Sequence, residues 1–392
     1  MKIKQLIVIA LGSIYSLVIN AHAVDDEIEE FTKQRIQYEQ TRVLLSEKRF
    51  KELDKKMNAL QQEYERGNRT SAEVLAGFRP FYDPSPSMTS LHDEWVKGFS
   101  SSYAAYLARA VHYKYVGRAL RGGRWISETP EKQIKEMEQY LTMAMQDLKQ
   151  SEQLTKKPLA SYLHMMDIGM YLGGSKFNRE MLEKGWALEP SNMILPRKFM
   201  YTLRPRWGGS FAAMDAFLDE CKKRGTSAKD LRTLEAVILL EKGWVSTREK
   251  DYDIALGFYN RAVSLNPDDA ELKESLWRRV DLNVQTLKKY AQAIPDLDRI
   301  LAMDPESKRA YANRAYAYDH TKNFSKAFED YKAAAELGDP WAQNRLGDMY
   351  WNGIGAPVNK QEAVKWFRRA AANGSKEGEE NLKAVLKHGP KP

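Results

Sequence analysis

The sequence predicts an all-α protein, an α-solenoid of helical hairpins preceded by a divergent helical domain. Before about residue 230, apolar residues recur at steps of three and four, with no sustained strand-like alternation. After that point, residues of matching size recur in fixed columns. Prolines and glycines fall where helices of ordinary length would end.

Three columns define the repeat in the second half of the chain. They are Ala255, Ala293, Ala327 and Ala363; Tyr259, Leu297, Tyr331 and Phe367; and Ala262, Ile300, Ala334 and Ala370, all with spacings of 38, 34 and 36 residues. Antiparallel helices need small side chains where their backbones approach and large ones where gaps remain. Asn266-Pro267, Asp304-Pro305, Gly338 and Gly374 are predicted to end the second helices of successive hairpins.

These columns belong to patterns that resemble two related repeat families. Tetratricopeptide repeats are matched by Gly243, Asp251, Tyr252, Ala255, Tyr259, Ala262 and Pro267, and again by Tyr311, Tyr318, Phe324, Ala327, Tyr331 and Ala334. The last unit resembles a Sel-like repeat at Ala342, Leu346, Gly347, Tyr350, Gly353, Gly355, Ala363, Trp366, Ala370, Ala371 and Gly374. The unit between them is degenerate at Asp281 and Ile300 and four residues longer, but we expect a hairpin there too.

The first half also reads as helical. An apolar stripe from Phe50 to Tyr64 predicts a helix that ends near Gly67, and Leu159–Leu172 with Phe177–Leu188 predicts a hairpin broken at Gly173-Gly174. The motif Leu203-Arg204-Pro205-Arg206-Trp207-Gly208-Gly209-Ser210, with Arg118-Ala119-Leu120-Arg121-Gly122-Gly123, resembles an uncharacterised proteobacterial domain family found before tetratricopeptide repeats. That resemblance implies an architecture and no chemistry.

These observations predict five segments along the chain. They are a signal peptide at 1–23, a divergent helical domain at 24–225, tetratricopeptide repeats at 226–339, a Sel-like repeat at 340–376 and a tail at 377–392.

The N-terminus predicts export. Lys2 and Lys4 precede an apolar stretch, and Ala21-His22-Ala23 forms a small-x-small cleavage site, so we expect cleavage after Ala23 and a periplasmic or secreted product. This apolar stretch is too short to span a membrane, and no later stretch of the sequence is long and apolar enough to do so. A lipid anchor would need a cysteine directly after the cleavage site, whereas the only cysteine is Cys221. Loss of Lys2 and Lys4 lowers the formal net charge from +8 to +6, and this mild excess does not predict nucleic-acid binding.

One group of candidate functional residues in the first half of the chain is rich in arginine. It consists of Arg121, Arg124, Arg204, Arg206 and Trp207, which could bind an anion or an aromatic group. The alternative is a structural one, in which the arginines and the indole hold helices together. An enzyme site around Arg121, Arg206 and Trp207 is the catalytic hypothesis that this group allows.

The sequence contains none of the motifs that carry common enzyme chemistry. The histidines share no metal-ligand spacing, and phosphate loops, dinucleotide fingerprints and nucleophile elbows are all missing from the 392 residues. We therefore expect no metal, no cofactor and no catalysis.

The resemblance to tetratricopeptide repeats implies a binding function instead. A partner segment would lie along the first helices of successive hairpins. By the register of the family, the candidate residues are Trp244, Arg278, Arg279, Asn283, Arg309, Asn313 and Tyr316. A solvated helix face is the alternative interpretation of the same residues. The sequence thus predicts a protein- or peptide-binding scaffold or adaptor in the bacterial cell envelope, with an immunity-type inhibitor of an envelope-delivered toxin as a narrower version.

Overall fold

The computed structural model describes residues 35–123 and 128–388 and confirms the all-α prediction, because every regular element in these ranges is helical. The predicted signal peptide, Arg124 and the last four residues lie outside the described residues. The chain divides into two compact units, Met1–Thr202 and Leu203–Pro392. The segment boundaries expected from the sequence concern repeat families, and they stay predictions.

The first unit is a bundle of helices. Its described elements are α1 (35–46), α2 (Phe50–Glu65), α3 (Ser71–Gly77), α4 (Thr89–Gly98), α5 (Tyr103–Arg121), α6 (Glu131–Glu152), α7 (Leu159–Leu172), α8 (Gly174–Leu188) and α9 (Ile194–Thr202). The predicted helix over the Phe50 stripe and the break after Leu172 are confirmed. The helix after that break begins three residues before the expected Phe177, because Gly174 adopts φ +71° and turns the chain at once.

Helix α5 is the centre of the first unit and packs against α6, α4 and α2. Arg109 of α5 donates to both carboxylate oxygens of Asp147 on α6, at 2.7 and 2.8 Å. Trp95 of α4 is fully buried, and its indole N–H donates to Asp54 of α2 at 3.1 Å. Polar bonds between helices therefore supplement an apolar core in this unit.

The second unit is an array of helical hairpins. Its elements are α10 (Phe211–Lys223), α11 (Ala228–Glu249), α12 (Tyr252–Ser264), α13 (Asp269–Asp281), α14 (Tyr290–Met303), α15 (Lys308–His320), α16 (Phe324–Glu336), α17 (Pro340–Asn352), α18 (Lys360–Ala372) and α19 (Lys376–His388). The pairs α11–α12, α13–α14, α15–α16 and α17–α18 form the hairpins, and α19 packs on the last pair.

The predicted columns form the interior of these hairpins. All twelve column residues are buried. A Cβ atom on Gly243 would approach the ring of Tyr259 to 2.4 Å, and one on Gly347 would approach the ring of Phe367 to 2.6 Å. The same glycine-to-aromatic contact thus occurs in the first hairpin and in the last, which explains why both positions exclude a side chain.

The degenerate unit also forms a hairpin. Its extra residues are taken up by a π-helical segment, Leu282–Thr286, that directly follows α13. Lys288 then takes φ +56° before α14 begins. A π turn widens the helix by one residue per hydrogen-bonded ring, so it accommodates an insertion without breaking the pairing of α13 with α14.

Candidate protein-binding site

The first helices of the hairpins contact one another in succession. Helix α11 packs on α13, and side chains of α15 reach both α13 and α17. We define the first-helix face by the partly or fully exposed side chains on these helices that the binding hypothesis concerns. They are Trp244, Trp277, Arg278, Arg309, Asn313, Tyr316, His320 and Trp341.

Helix α15 contributes half of this face. Arg309, Asn313, Tyr316 and His320 follow one another at steps of four, three and four residues, so they lie along one side of the helix. The amide of Asn313 donates to the carbonyl oxygen of Arg309 at 2.8 Å, and Nδ1 of His320 lies 3.0 Å from the carbonyl oxygen of Tyr316. These local bonds fix both polar side chains against their own helix.

The arginines of the face are held by exposed partners. The guanidinium of Arg309 lies 3.9 Å from the ring centre of Trp277 and donates to Asp281 at 2.8 Å. Arg278 donates to Glu274 at 2.7 Å. Ion pairs in such exposed positions contribute only about 0–1 kcal/mol each. A carboxylate of a partner could therefore replace Asp281 or Glu274 at small cost.

An aromatic cluster lies at the α15–α17 end of the face. The ring of His320 lies between Tyr290 and Tyr316, with centroid distances of 4.2 and 4.1 Å. The ring of Tyr316 also meets Trp341 edge-on at 5.8 Å. Trp341 remains 40% exposed, although its ring also packs edge-on against the ring of buried Tyr331. Rigid, half-exposed aromatic rings are the usual anchors of protein interfaces.

Two of the predicted residues have structural roles instead. Arg279 donates to both oxygens of the buried carboxylate of Asp296 and so ties α13 to α14. Arg314 forms the same pair with Asp330 between α15 and α16, at 2.7 Å for both bonds. Asn283 lies in the π-helical segment and is buried. Arg279 and Asn283 therefore belong to the interior contacts of their hairpin.

Trp244 is joined to part of the arginine-rich group. The guanidinium of Arg206 lies 4.1 Å from the ring centre of Trp244 and forms a two-pronged ion pair with the buried carboxylate of Glu241. Arg204 approaches the same carboxylate at 3.6 Å. Both arginines thus neutralise an acidic side chain inside α11, which favours the structural interpretation for them.

The backbone of the motif explains its glycines. Pro205–Trp207 is a short 3₁₀ turn, and Gly208 follows with φ +82°. A Cβ atom on Gly209 would lie 2.0 Å from the carbonyl oxygen of Leu203. Ser210 then caps α10 by accepting from the N–H of Ala213 at 3.1 Å. The motif is a compact turn that places the guanidinium of Arg206 against Glu241 and Trp244 of α11.

The other predicted members of the arginine-rich group are placed differently. Arg121 belongs to the first unit, where it donates to the hydroxyl of Tyr171 at 3.3 Å. Trp207 lies in the second unit and is 36% exposed. Arg124 lies outside the described residues.

Sequence reasoning missed a charged cluster in the first unit, in which Lys114 and His164 are buried and Asp167 and Lys198 are partly exposed. The ammonium of Lys114 lies 2.7 Å from Asp167 and 2.8 Å from Nδ1 of His164, and Lys198 lies 2.6 Å from the other oxygen of Asp167. Burial lowers the pKa of Lys114 and opposes ionisation of Asp167, but the two lysines hold the pKa of Asp167 well below its usual range. The available signal was Asp167, which is the only aspartate, glutamate, lysine or arginine in the largely apolar helix α7.

Within residues 35–123 and 128–388, no three histidine, cysteine, aspartate or glutamate side chains are arranged to hold a metal ion. Over the same residues, no helix combines the length and the apolar character needed to cross a bilayer. The expected lack of a cofactor stays a prediction.

The hairpins carry repeats of two known kinds. The Sel1 repeat matches residues 236–267 and 342–375, and the tetratricopeptide repeat matches residues 285–344. Both therefore occur in the C-terminal part of the chain, as the sequence predicted. The chain is 44% identical over 50 residues to the sel1-like repeat-containing protein L18 of Acanthamoeba polyphaga mimivirus, which is 13% of this chain and 9% of that protein.

Two further proteins are similar to this chain. A tetratricopeptide repeat protein 36 homolog of Drosophila pseudoobscura pseudoobscura is 29% identical over 128 residues, 31% of this chain and 62% of that one. The chain thus spans less than two thirds of either curated relative. The crystal structure of a Sel1 repeat protein from Oxalobacter formigenes is similar with a TM-score of 0.39 and 21% identity, covering 54% of this chain and 86% of that one.

Proposed function

We propose that this protein is a non-catalytic scaffold or adaptor that binds an extended protein segment on its first-helix face. Tetratricopeptide and Sel1 repeat proteins are protein-binding scaffolds, and both repeats form the C-terminal hairpins of this chain. The observation that carries the proposal is the half-exposed Trp341 in its aromatic cluster, on the same face as the exposed Arg309.

The chemistry of the face favours a partner with an apolar side chain and a carboxylate. Trp341 and Tyr316 would contact the apolar side chain, which already has a rigid aromatic surface to pack against. One terminal nitrogen of Arg309 now donates to both oxygens of Asp281, at 2.8 and 3.1 Å, and the guanidinium would receive the carboxylate of the partner once Asp281 releases it. Asn313, one turn away, would bind a backbone group of the segment.

We further propose that the mature protein acts in the bacterial cell envelope or outside the cell. The basic start, the apolar stretch and the Ala21-His22-Ala23 site support this proposal. A partner met in that compartment would be an envelope or secreted protein.

Selection from a display library tests the binding proposal directly. A library of random peptides with free C-terminal carboxylates is selected against the full chain, and dissociation constants of the enriched peptides are measured by fluorescence anisotropy. We expect enriched peptides to carry an aromatic or aliphatic residue beside a carboxylate. Trp341→Ala and Arg309→Ala should each weaken binding about tenfold or more, which corresponds to about 1.4 kcal/mol.

Phe324→Ala is the matched control, because Phe324 is also 40% exposed but lies at the start of the second helix α16. It should leave the affinity unchanged. An empty selection, or peptides that bind equally well to the Trp341 and Arg309 variants, would refute the first-helix face as the binding site.

A further inference from the structure

A cavity of about 390 Å³ lies in the first unit, between α2, the start of α5 and the segment that follows α6. Its size falls within the range of small-molecule sites, which is roughly 300–1,000 Å³. The residues that line it are Asn58, Gln61, Gln62, Glu65, Tyr103, Gln153, Leu154, Thr155 and Lys156. The function proposed above does not use this cavity, because the first-helix face belongs to the other unit.

The walls of the cavity are fixed by hydrogen bonds between its two sides. The amide nitrogen of Gln61 on α2 donates to the hydroxyl of Thr155 at 2.9 Å and to the carbonyl oxygen of Lys157 at 3.0 Å. Glu65, one turn later, accepts from the hydroxyl of Thr155 and, at 2.9 Å, from the N–H of Lys156. The cavity is therefore pre-formed and a ligand would not have to order its walls.

Three amide groups of the lining keep unused hydrogen-bonding capacity. The side-chain oxygen of Gln61 is buried without a hydrogen-bond partner among the described residues, and its nitrogen is fixed by the carbonyl oxygen of Lys157. The exposed amides of Gln62 and Gln153 form no side-chain hydrogen bond with any described residue. Each amide offers donors and an acceptor side by side.

The charge of the lining is balanced. Glu65 and Lys156 are its only ionised residues, and they carry opposite charges. Tyr103 and Leu154 supply the only large nonpolar side chains. An anion would face the oxygen atoms of Glu65 and Gln61, and an apolar ligand would leave the amides without partners, which is costly.

We propose that this cavity binds a neutral, polyhydroxylated ligand, namely a monosaccharide or a disaccharide. A sugar hydroxyl donates and accepts at the same atom, so a row of hydroxyls matches the paired donors and acceptors of Gln62 and Gln153. One hydroxyl would donate to the unpaired oxygen of Gln61. The nonpolar face of the sugar ring would lie against Leu154, which is half-buried.

Saturation-transfer NMR on the full chain tests this proposal, with glucose, N-acetylglucosamine and maltose as separate probes. We expect transfer to at least one of them, with a dissociation constant then measured by titration calorimetry. The double variant Gln62→Leu with Gln153→Leu should weaken binding about tenfold or more, since it removes two amide partners. Both residues are exposed, so the variant should keep its thermal unfolding midpoint.

Gln139→Leu, an exposed amide on α6 away from the cavity lining, is the control and should bind the same probe with unchanged affinity. Absence of transfer to all three sugars at millimolar concentration would overturn the proposal. Equal affinity in the double variant, or displacement of the sugar by inorganic phosphate, would overturn it as well. None of these outcomes depends on peptide binding by the second unit.

Discussion

The buried His164 makes the stability of the first unit depend on pH in a defined window. Burial, aided by the positive charge of Lys114, lowers the pKa of His164 to about 4 from the usual 6.5. In the unfolded chain the imidazole takes up a proton as the pH falls through about 6.5, whereas the folded protein resists protonation until about pH 4. Protons then bind preferentially to the unfolded state, so stability falls between these two pH values and is fully retained above 6.5.

The size of the effect follows from the pKa difference. A shift of about 2.5 units corresponds to about 3 kcal/mol between pH 6.5 and pH 4. The variant His164→Asn removes the titration and keeps an acceptor for the ammonium of Lys114. It should therefore lose about 3 kcal/mol less stability than the parent over that interval, whatever its stability at neutral pH.

The difference in pH dependence is measured by urea unfolding that is monitored by hydrogen exchange, because peptides from α5 and α7 report on the first unit by itself. The free energy of unfolding is compared at pH 7 and pH 4 for the parent and for His164→Asn. NMR titration of the histidine ring gives the pKa of His164 independently. Equal pH slopes in the two proteins, or an His164 pKa near 6.5, would refute the reasoning.

Two further predictions concern the hairpins. Gly347→Ala should destabilise the protein by about 1–3 kcal/mol, because the added methyl group would collide with the ring of Phe367. Gly257→Ala should stabilise it by about 0.5–1 kcal/mol, because the added methyl group meets no neighbour within 4 Å. The thermal unfolding midpoints of the two variants check this contrast, and equal shifts would contradict it. Arg314→Ala should cost about 3–5 kcal/mol, because it leaves the buried carboxylate of Asp330 unpaired, and restored stability in the double variant with Asp330→Asn is the corresponding check.

The fold of the repeats could be predicted because packing that repeats at every hairpin places residues of similar size at regular spacings in the sequence. A column such as Tyr259, Leu297, Tyr331 and Phe367 shows in the sequence that one position is filled at every hairpin. Helix ends were also predictable, since α16 and α18 end two residues before Gly338 and Gly374, and both glycines adopt a positive φ.

The site was less accessible to sequence reasoning, because exposure depends on distant partners. Arg278 and Arg279 are neighbours in sequence, yet one pairs with an exposed glutamate on its own helix and the other with buried Asp296 seventeen residues away. The packing of Trp341 against Tyr316 was missed because Tyr316 lies on another hairpin. The polar cavity was missed for the same reason, as its lining comes from three separate segments.

The turn formed by Leu203–Ser210 supplies positive charge to the first hairpin of the array. Glu241 is buried in the first hairpin, and Arg206 reaches its carboxylate while covering Trp244. A fragment that began at residue 226, the boundary predicted from the sequence, would leave the buried carboxylate of Glu241 with no counterion from this turn. A version of the array that keeps both arginine contacts with Glu241 therefore begins at or before Leu203.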